Sequence, residues 1–577
     1  MCGITGILNI NKKPVQYKIL KAMMDSIAHR GPDGEGHYIE DYVGLGHRRL
    51  AIIDVGEGGH QPKTTQNKRF TITYNGELYN FRELRSELET KGFKFTTDND
   101  SEVVLQAYAC WGKDALLRFN GMFAFAIWDN EDKKLLIARD RFGVKPVYFT
   151  QSQSSFLFGS EIKSILANSD YTVQMDVSAL NEYLTFQNFF TDRTLFKNIS
   201  LLPAGHFIEI DQDGERKTTQ YWDYDFSPDT TLSYDEAKEE LNSLFIDAVK
   251  RQLVSDVPVG SYLSGGMDSG SITSIASQEI SPLSTFTIGF DLHSASGIEL
   301  AYDEREKAEH MSYHFGTSHY EMVLKSGDME RCMDKLVFHL EEPRVGQSYP
   351  NYYAAHLASK FVKVVLAGAG GDELFGGYPW RYYRAVVNDS FDDYVSKYFQ
   401  FWQRLISRQD MPLIMSPCWD EAKDTNSLSI FKSVFQTDKP SMSGDDYINH
   451  SLYLESKTFL HGLFVVEDKL SMAHGLESRV PFMDNDLVDF AMKLPPTFKL
   501  GNLGDVIKLD ENEPGPKTKK YFQKTRDGKK ILRDATSGFI PEDITKAVKQ
   551  GFSAPDASWF QGDSINYVKD TLMNQNS

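Results

Sequence analysis

The pattern of apolar and polar positions changes character well before the middle of the chain. Up to about residue 210, apolar residues come in short β-rich runs broken by glycine turns, such as Phe70-Thr-Ile-Thr-Tyr74, Met122-Phe-Ala-Phe-Ala-Ile-Trp128 and Lys134-Leu-Leu-Ile-Ala138. Helices are predicted between such runs at about 15–28, 80–92 and 101–118. This mixture predicts stacked sheets with flanking helices. A polar stretch, Asp211-Gln-Asp-Gly-Glu-Arg-Lys-Thr-Thr219, followed by Ser227-Pro-Asp229, predicts a turn and interdomain linker over 211–234. Beyond it a helix at 235–253 precedes the apolar run Val257-Pro-Val-Gly-Ser-Tyr-Leu263, and later runs (Ser284-Thr-Phe-Thr-Ile288, Lys363-Val-Val-Leu-Ala367) alternate with helical segments. That alternation predicts a parallel α/β sheet. The expected division is therefore 1–210, a linker at 211–234, and 235–577.

Composition narrows the function classes. A formal net charge of −19 argues against a nucleic-acid partner, whose backbone is bound by neutralising Lys and Arg. The four cysteines, Cys2, Cys110, Cys332 and Cys418, are widely spaced without a CxxC pair, which predicts neither a disulfide framework nor a zinc site. No apolar run reaches the length of a membrane span, and the N-terminus lacks the charged and apolar regions of a signal peptide. No membrane partner is expected, and the cytoplasm is the expected location.

The chain opens Met-Cys-Gly-Ile. Once the initiator methionine is clipped, Cys2 carries a thiol and a free α-amine on one residue. With a reference pKa of about 7.7–8.0 the amine is partly free base near neutrality. It can take the thiol proton directly or through a water. Four segments follow: Arg30-Gly-Pro-Asp33, His47-Arg-Arg-Leu-Ala-Ile-Ile-Asp54 leading into Gln61-Pro62, Tyr74-Asn-Gly-Glu77, and Asp98-Asn-Asp-Ser-Glu102. Taken singly these read as a turn, a solvated arginine or a capping box. Together, in this order after Cys2, they resemble class II glutamine amidotransferases over about the first 200 residues. The resemblance implies an αββα N-terminal-nucleophile hydrolase sandwich. It implies attack by Cys2 on the glutamine side-chain amide, with Asn75 and the Gly76 N–H as oxyanion hole. Arg49 would face the glutamine α-carboxylate, Asp100 its α-ammonium, with Glu77 beside them.

The string Ser264-Gly-Gly-Met-Asp-Ser269 lies between an apolar strand and a helical segment, where glycines admit an anion close to the backbone and helix N-terminal N–H groups cradle it. It resembles the PP-loop of ATP pyrophosphatases, implying ATP contacts from Leu263, Ser264, Gly265, Gly266, Asp268 and Ser269. Phe286-Thr-Ile-Gly-Phe290 resembles the adenine-contacting strand of that family, with Ile288 at the contact. Gly368-Ala-Gly-Gly-Asp-Glu-Leu-Phe-Gly-Gly-Tyr378 resembles its second glycine loop, adding Gly368 and Ala369. Asp268 and Asp372 are hard oxygen ligands suited to Mg²⁺ on pyrophosphate. Glu477-Ser-Arg-Val-Pro-Phe-Met-Asp484 and Lys546-Ala-Val-Lys-Gln-Gly-Phe552 resemble later segments, and Lys549 corresponds to the lysine that steadies phosphate charge.

The two halves in this order resemble glutamine-hydrolysing asparagine synthetases across nearly the whole chain. That implies small-molecule substrates (glutamine, ATP and aspartate or another carboxylate), an acyl-adenylate, ammonia passed between sites, and a homodimer. Beta-lactam synthetases share the ATP half but lack the N-terminal cysteine. Glutaminase domains fused to sugar-phosphate or phosphoribosyl partners lack the PP-loop. A non-enzymatic binding protein would have no need of all these residues.

One departure stands out. The second glycine loop of the family reads Leu-Ser-Gly-(Asp/Glu)-Gly-x-Asp-Glu, and here it reads Leu366-Ala-Gly-Ala-Gly-Gly-Asp-Glu373. Ala369 replaces the acid beside the reacting carboxylate, and alanine can neither accept a proton nor position a nucleophile. Another acid, with Glu373, Glu341 and Glu342 as candidates by proximity in the chain, or another acceptor, such as a sugar uronic acid, would account for it. The aromatics of Tyr378-Pro-Trp-Arg-Tyr-Tyr-Arg384 and Tyr394-Val-Ser-Lys-Tyr-Phe-Gln-Phe-Trp402 recur at helical spacing, which fits a helical core or an acceptor or partner surface.

Overall fold

The computed structural model describes residues 1–293, 295–346, 348–382, 387–435, 442–501, 527–547, 553–562 and 564–573. Its first unit stacks two six-stranded sheets. One runs Ser200–Leu201, Tyr148–Gln151, Ser155–Gly159, Gly3–Asn9, Val43–Arg49, Gly34–Glu40. The other runs Arg216–Gln220, His206–Asp211, Lys134–Arg139, Gly121–Asp129, Phe70–Leu78, Lys63–Thr64. Neighbouring strands are antiparallel throughout.

The strands are apolar on both faces because both faces are covered. Successive side chains of a strand point to opposite sides. In Gly121–Asp129, Ala124, Ala126 and Trp128 pack between the sheets with Ile4, Leu8 and Leu45. Phe123, Phe125 and Ile127 pack instead on helices Phe81–Thr90 and Asp100–Trp111 through Leu84, Leu88, Val103 and Val104. On the far side Ile7 and Leu157 meet helices Tyr17–Asp25 and Ile162–Leu166 through Leu20, Met23, Met24 and Ile165. The result is the layered αββα sandwich.

The predicted helices appear with shorter ends. The last stops at Trp111, where Gly112 takes a positive φ of 58° and a 3₁₀ segment continues to Leu117. At its start Asn99, rather than an aspartate, caps the Ser101 N–H, and Glu102 reaches back to the Thr96 and Thr97 N–H groups. The polar stretch after Asp211 turns back as Arg216–Gln220 and pairs with His206–Asp211. Its exposed, Thr-containing face suits an edge strand, so the first unit's sheet continues to Gln220.

The second unit is built on a five-stranded sheet, all parallel, in the order Ser318–Leu324, Ser284–Phe290, Val259–Tyr262, Val364–Leu366, Glu477–Arg479. The chain winds outward from Val259–Tyr262 in one direction and then the other. The carboxyl ends of Val259–Tyr262 and Val364–Leu366 therefore flank a topological switch point, where parallel sheets open a ligand crevice. The aromatic helices fill a core: Tyr394, Tyr398 and Trp402 are buried against Phe399, Phe431 and Phe459. Phe186 and Phe190 of the first unit stack into the same cluster. Helical spacing here marks packing; Arg384 lies outside the described residues. Among the described residues no helix is long and apolar enough to cross a membrane.

Charged groups cross the seam between the units. Arg30 is fully buried and pairs with Glu161 at 3.0 Å and Asp468 at 2.9 Å. Lys145 reaches the other Asp468 oxygen at 3.2 Å, and Lys469 and Lys163 share Glu341. Asp468→Ala leaves two buried cations short of a partner. It should cost about 3–5 kcal/mol, read as a lowered urea midpoint. A variant with the wild-type midpoint would contradict this account of the seam.

Candidate functional site

The first candidate site lies where the Gly3–Asn9 strand begins. The Cys2 N–H donates to Asn75 Oδ1 at 2.9 Å. The donor nitrogen of the Asn75 side chain, Nδ2, is buried and makes no hydrogen bond. Leaving a buried donor unmade costs about 1–3 kcal/mol, so such a group reads as one kept for a ligand oxygen. Gly76 is the next residue on the same strand. A Cβ there would stand 2.4 Å from the Met122 carbonyl oxygen, so the approach of strands Phe70–Leu78 and Gly121–Asp129 requires glycine.

Arg49, Gly76, Glu77 and Asp100 line one small cavity with Met1 and Cys2, of about 20 Å³. The Arg49 guanidinium is held by the Gly56 carbonyl at 2.7 Å and the Asp54 carbonyl at 2.5 Å. Asp100 accepts from the Tyr74 hydroxyl and the Leu78 N–H, each at 3.0 Å, and burial raises its carboxyl. Burial, reinforced by Glu477, holds Glu77 well above the usual carboxylate range. Burial also pushes the Cys2 thiol up, with the nearby α-ammonium pulling it down.

The second unit contributes directly to this cavity's surroundings. The Met1 ammonium is buried against Glu477 at 2.8 Å, and Arg479 holds the other Glu477 oxygen at 2.6 Å. The terminal ammonium and Arg479 keep Glu477 ionised despite its burial. Arg30 donates from Nε to the Cys2 carbonyl at 3.1 Å. The sequence placed Arg30 in a turn and Glu477 in a segment without a role; no local pattern tells that either reaches Cys2.

The second candidate site is a cavity of about 280 Å³ at the switch point. Leu263, Ser264, Gly265, Gly266, Asp268 and Ser269 form one wall, Ile288 another, and Gly368 and Asp372 close it. The loop is held open by its serines: the Ser264 N–H donates to Ser269 Oγ at 3.1 Å, and the Gly266 N–H to Ser264 Oγ at 3.2 Å. The helix Met267–Glu279 then begins, directing its first N–H groups at the cavity. Ala369 is set back from the walls, against the main core.

Lys529 is the residue the sequence did not reveal. Its ammonium bridges Asp268 Oδ2 and Asp372 Oδ1, each at 2.5 Å, and it lines the cavity. Lys549 lies outside the described residues, as does most of the segment around it. The two aspartates thus converge on one cation, and Asp268 Oδ1 is buried without a hydrogen bond. Hard oxygen donors of this kind fit a divalent cation shared with substrate phosphates.

The three acids that the sequence offers in place of the one missing at Ala369 face elsewhere. Glu341 accepts from the Ile162 and Lys163 N–H groups and pairs with Lys469 at 2.7 Å. Glu342 is bound by Arg344 at 2.7 Å and by the Leu195 N–H at 3.0 Å. Glu373 is buried beside Tyr378, and burial together with Asp372 pushes it up to about 7. None of the three lines the larger cavity.

Residues 1–222 match the family described as glutamine amidotransferase domain, and residues 240–577 the family described as asparagine synthase. The chain is 35% identical over 572 residues to asparagine synthetase (glutamine-hydrolyzing) 3 of Bacillus subtilis (strain 168), covering 94% of this chain and 85% of that protein. To asparagine synthetase (glutamine-hydrolyzing) 1 of the same organism it is 33% identical over 605 residues, covering 99% and 90%. Among solved structures, glutamine phosphoribosylpyrophosphate amidotransferase from B. subtilis aligns with 66% of this chain and 77% of its own at 14% identity and a TM-score of 0.30.

Gly76→Ala tests the strand approach. The added methyl meets a backbone carbonyl that cannot move aside cheaply. A loss of about 1–3 kcal/mol is expected, measured by thermal melting. Unaltered melting would show that the two strands are not held this close.

Proposed function

This chain belongs to the glutamine-hydrolysing asparagine synthetases, and from that premise we propose that it transfers ammonia from glutamine to a carboxylate, with aspartate as acceptor, at the cost of ATP. The observation that carries the reading is the pairing within one chain. One cavity is lined by Cys2, which is hydrogen-bonded to an asparagine whose amide donor is unsatisfied, the other lies at the switch point of a parallel sheet, and buried ion pairs join them.

In the first cavity, loss of Met1 removes a side chain from the walls and transfers the α-amine to Cys2. That amine takes the thiol proton as sulfur attacks the glutamine amide carbon. The developing oxyanion takes hydrogen bonds from Asn75 Nδ2 and the Gly76 N–H, donors already in place before reaction. Arg49 pairs with the glutamine α-carboxylate; Asp100, with Glu77, holds the α-ammonium. The C–N bond breaks to release ammonia, and water then cleaves the thioester to glutamate.

In the second cavity the Ser264–Ser269 loop cradles the ATP phosphates and Ile288 packs on adenine. Asp268 and Asp372 would hold Mg²⁺, which when bound neutralises charge on the departing pyrophosphate. Lys529 adds cationic charge to the same end, the role that the family resemblance gives to Lys549. An acceptor carboxylate oxygen attacks the α-phosphorus, pyrophosphate leaves, and ammonia displaces AMP from the acyl-adenylate to give the amide. A second reading keeps this chemistry and changes the acceptor to another small carboxylate, such as a sugar uronic acid; Ala369 favours it.

Pyrophosphate release should depend on glutamine or ammonia together with aspartate, and asparagine should form. Aspartate-independent behaviour with normal glutamate production would transfer the assignment to a different acceptor. Cys2→Ala should abolish glutamine-dependent synthesis and leave ammonia-dependent synthesis near wild type; persistent use of glutamine would refute the nucleophile. Asn75→Ala should lower glutamine hydrolysis by about 10²–10³, as measured by glutamate production.

A further inference from the structure

The acid missing at Ala369 has a counterpart elsewhere in the larger cavity. Four carboxylates line that cavity among the described residues: Asp268, Asp372, Glu304 and Glu467. Asp268 and Asp372 are gathered on Lys529 at the phosphate end. Glu304 lies beside the phosphate loop, its Cβ 3.4 Å from where a Gly265 Cβ would stand. Glu467 enters from a different wall, that of helix His461–Met472.

The position of this helix sets Glu467 apart. Consecutive helix residues point about 100° apart, so one helix can face two cavities. Asp468, the next residue, pairs with Arg30 at 2.9 Å, and Arg30 donates to the Cys2 carbonyl at 3.1 Å. Glu467 therefore stands on the wall that separates the nucleotide cavity from the glutaminase site. Its other neighbours are chemically suitable. The Tyr262 phenol feels its charge, and Ser478, on the strand whose Glu477 holds the terminal ammonium, lies close to its carboxylate. Burial raises its carboxyl, with Ser478 and Lys145 opposing, which makes it a stronger proton acceptor than an exposed glutamate.

We propose that Glu467 is the catalytic carboxylate of amide formation, receiving ammonia at the cavity wall and taking its proton, in the role that Ala369 cannot fill. The step balances without a further reactant. The ammonia lone pair forms the C–N bond at the acyl carbon. The C–O bond to AMP breaks, and AMP leaves with that electron pair. The nitrogen sheds one proton to the Glu467 carboxylate, which returns it to solvent. The assignment rests on the synthetase reading above and adds a residue to it.

The test separates the two half-reactions in the full-length enzyme with ammonium chloride as nitrogen source. Glu467→Gln keeps the side-chain shape and removes the basic oxygen. Acceptor-dependent ATP–pyrophosphate exchange should stay within about threefold of wild type, while amide formation falls by about 10²–10⁴. Glu467→Asp, which retains a carboxylate, should recover part of the loss. Equal loss of exchange and amide formation in Glu467→Gln, or loss of neither, would overturn the role. A wild-type enzyme that exchanges pyrophosphate with no carboxylate acceptor would overturn the synthetase reading and this role with it; normal wild-type exchange with an unaffected Glu467→Gln overturns the role alone.

Discussion

The structure depends on one buried cation, Arg30. Its three donor nitrogens reach three different parts of the molecule: the Cys2 carbonyl, Glu161 at the edge of the first sandwich, and Asp468 of the second unit. Burial works against its charge, yet the two carboxylates together hold it above the ordinary arginine range. A planar guanidinium with fixed donor directions can do this, and a lysine cannot. Replacing the ensemble with apolar residues could leave stability unharmed, because desolvating such charges is expensive. What apolar packing lacks is direction. Here the direction ties the Cys2 backbone to a helix that also walls the larger cavity.

Both cavities use charges and dipoles that the fold has already desolvated. In the first, the free Asn75 donor and the glycine strand approach are in place before any substrate arrives, so little reorganisation is left for the reaction. The same burial leaves Cys2 with a thiol harder to ionise. In the second, two aspartates facing each other would repel, and Lys529 resolves that by bridging them. Cation-binding chemistry and fold stability are thereby concentrated on the same few atoms.

The seam between the units carries function as well as packing. Glu477 comes from the edge strand of the parallel sheet yet binds the terminal ammonium beside Cys2, and Arg479 next to it approaches Glu77 at 3.6 Å. The first cavity is thus enclosed by residues of both units. A first unit on its own would expose these groups to water, where Coulomb interactions at the same distances are several-fold weaker.

Much was legible in the chain. The apolar run of Gly121–Asp129, the strand–loop–helix order around Ser264–Ser269 and the position of Cys2 are local features, and local features are written in consecutive residues. They determined the strand segments and the parallel sheet of the second unit; the residues expected at each cavity came from family resemblance, and of these Ala369 stands back from the walls and Lys549 lies outside the described residues. The sequence could not show which distant groups meet. Arg30 against Asp468, Lys529 between Asp268 and Asp372, and Glu467 on the wall of the nucleotide cavity depend on contacts between distant parts of the chain. Proximity along the chain pointed to Glu341, Glu342 and Glu373, but each is turned to other partners, the first two from the bend that follows helix Asp328–Leu340 and the third from helix Gly371–Phe375. The tertiary structure decided these matters because burial, and with it the strength and direction of every charge, exists only once the layers have closed.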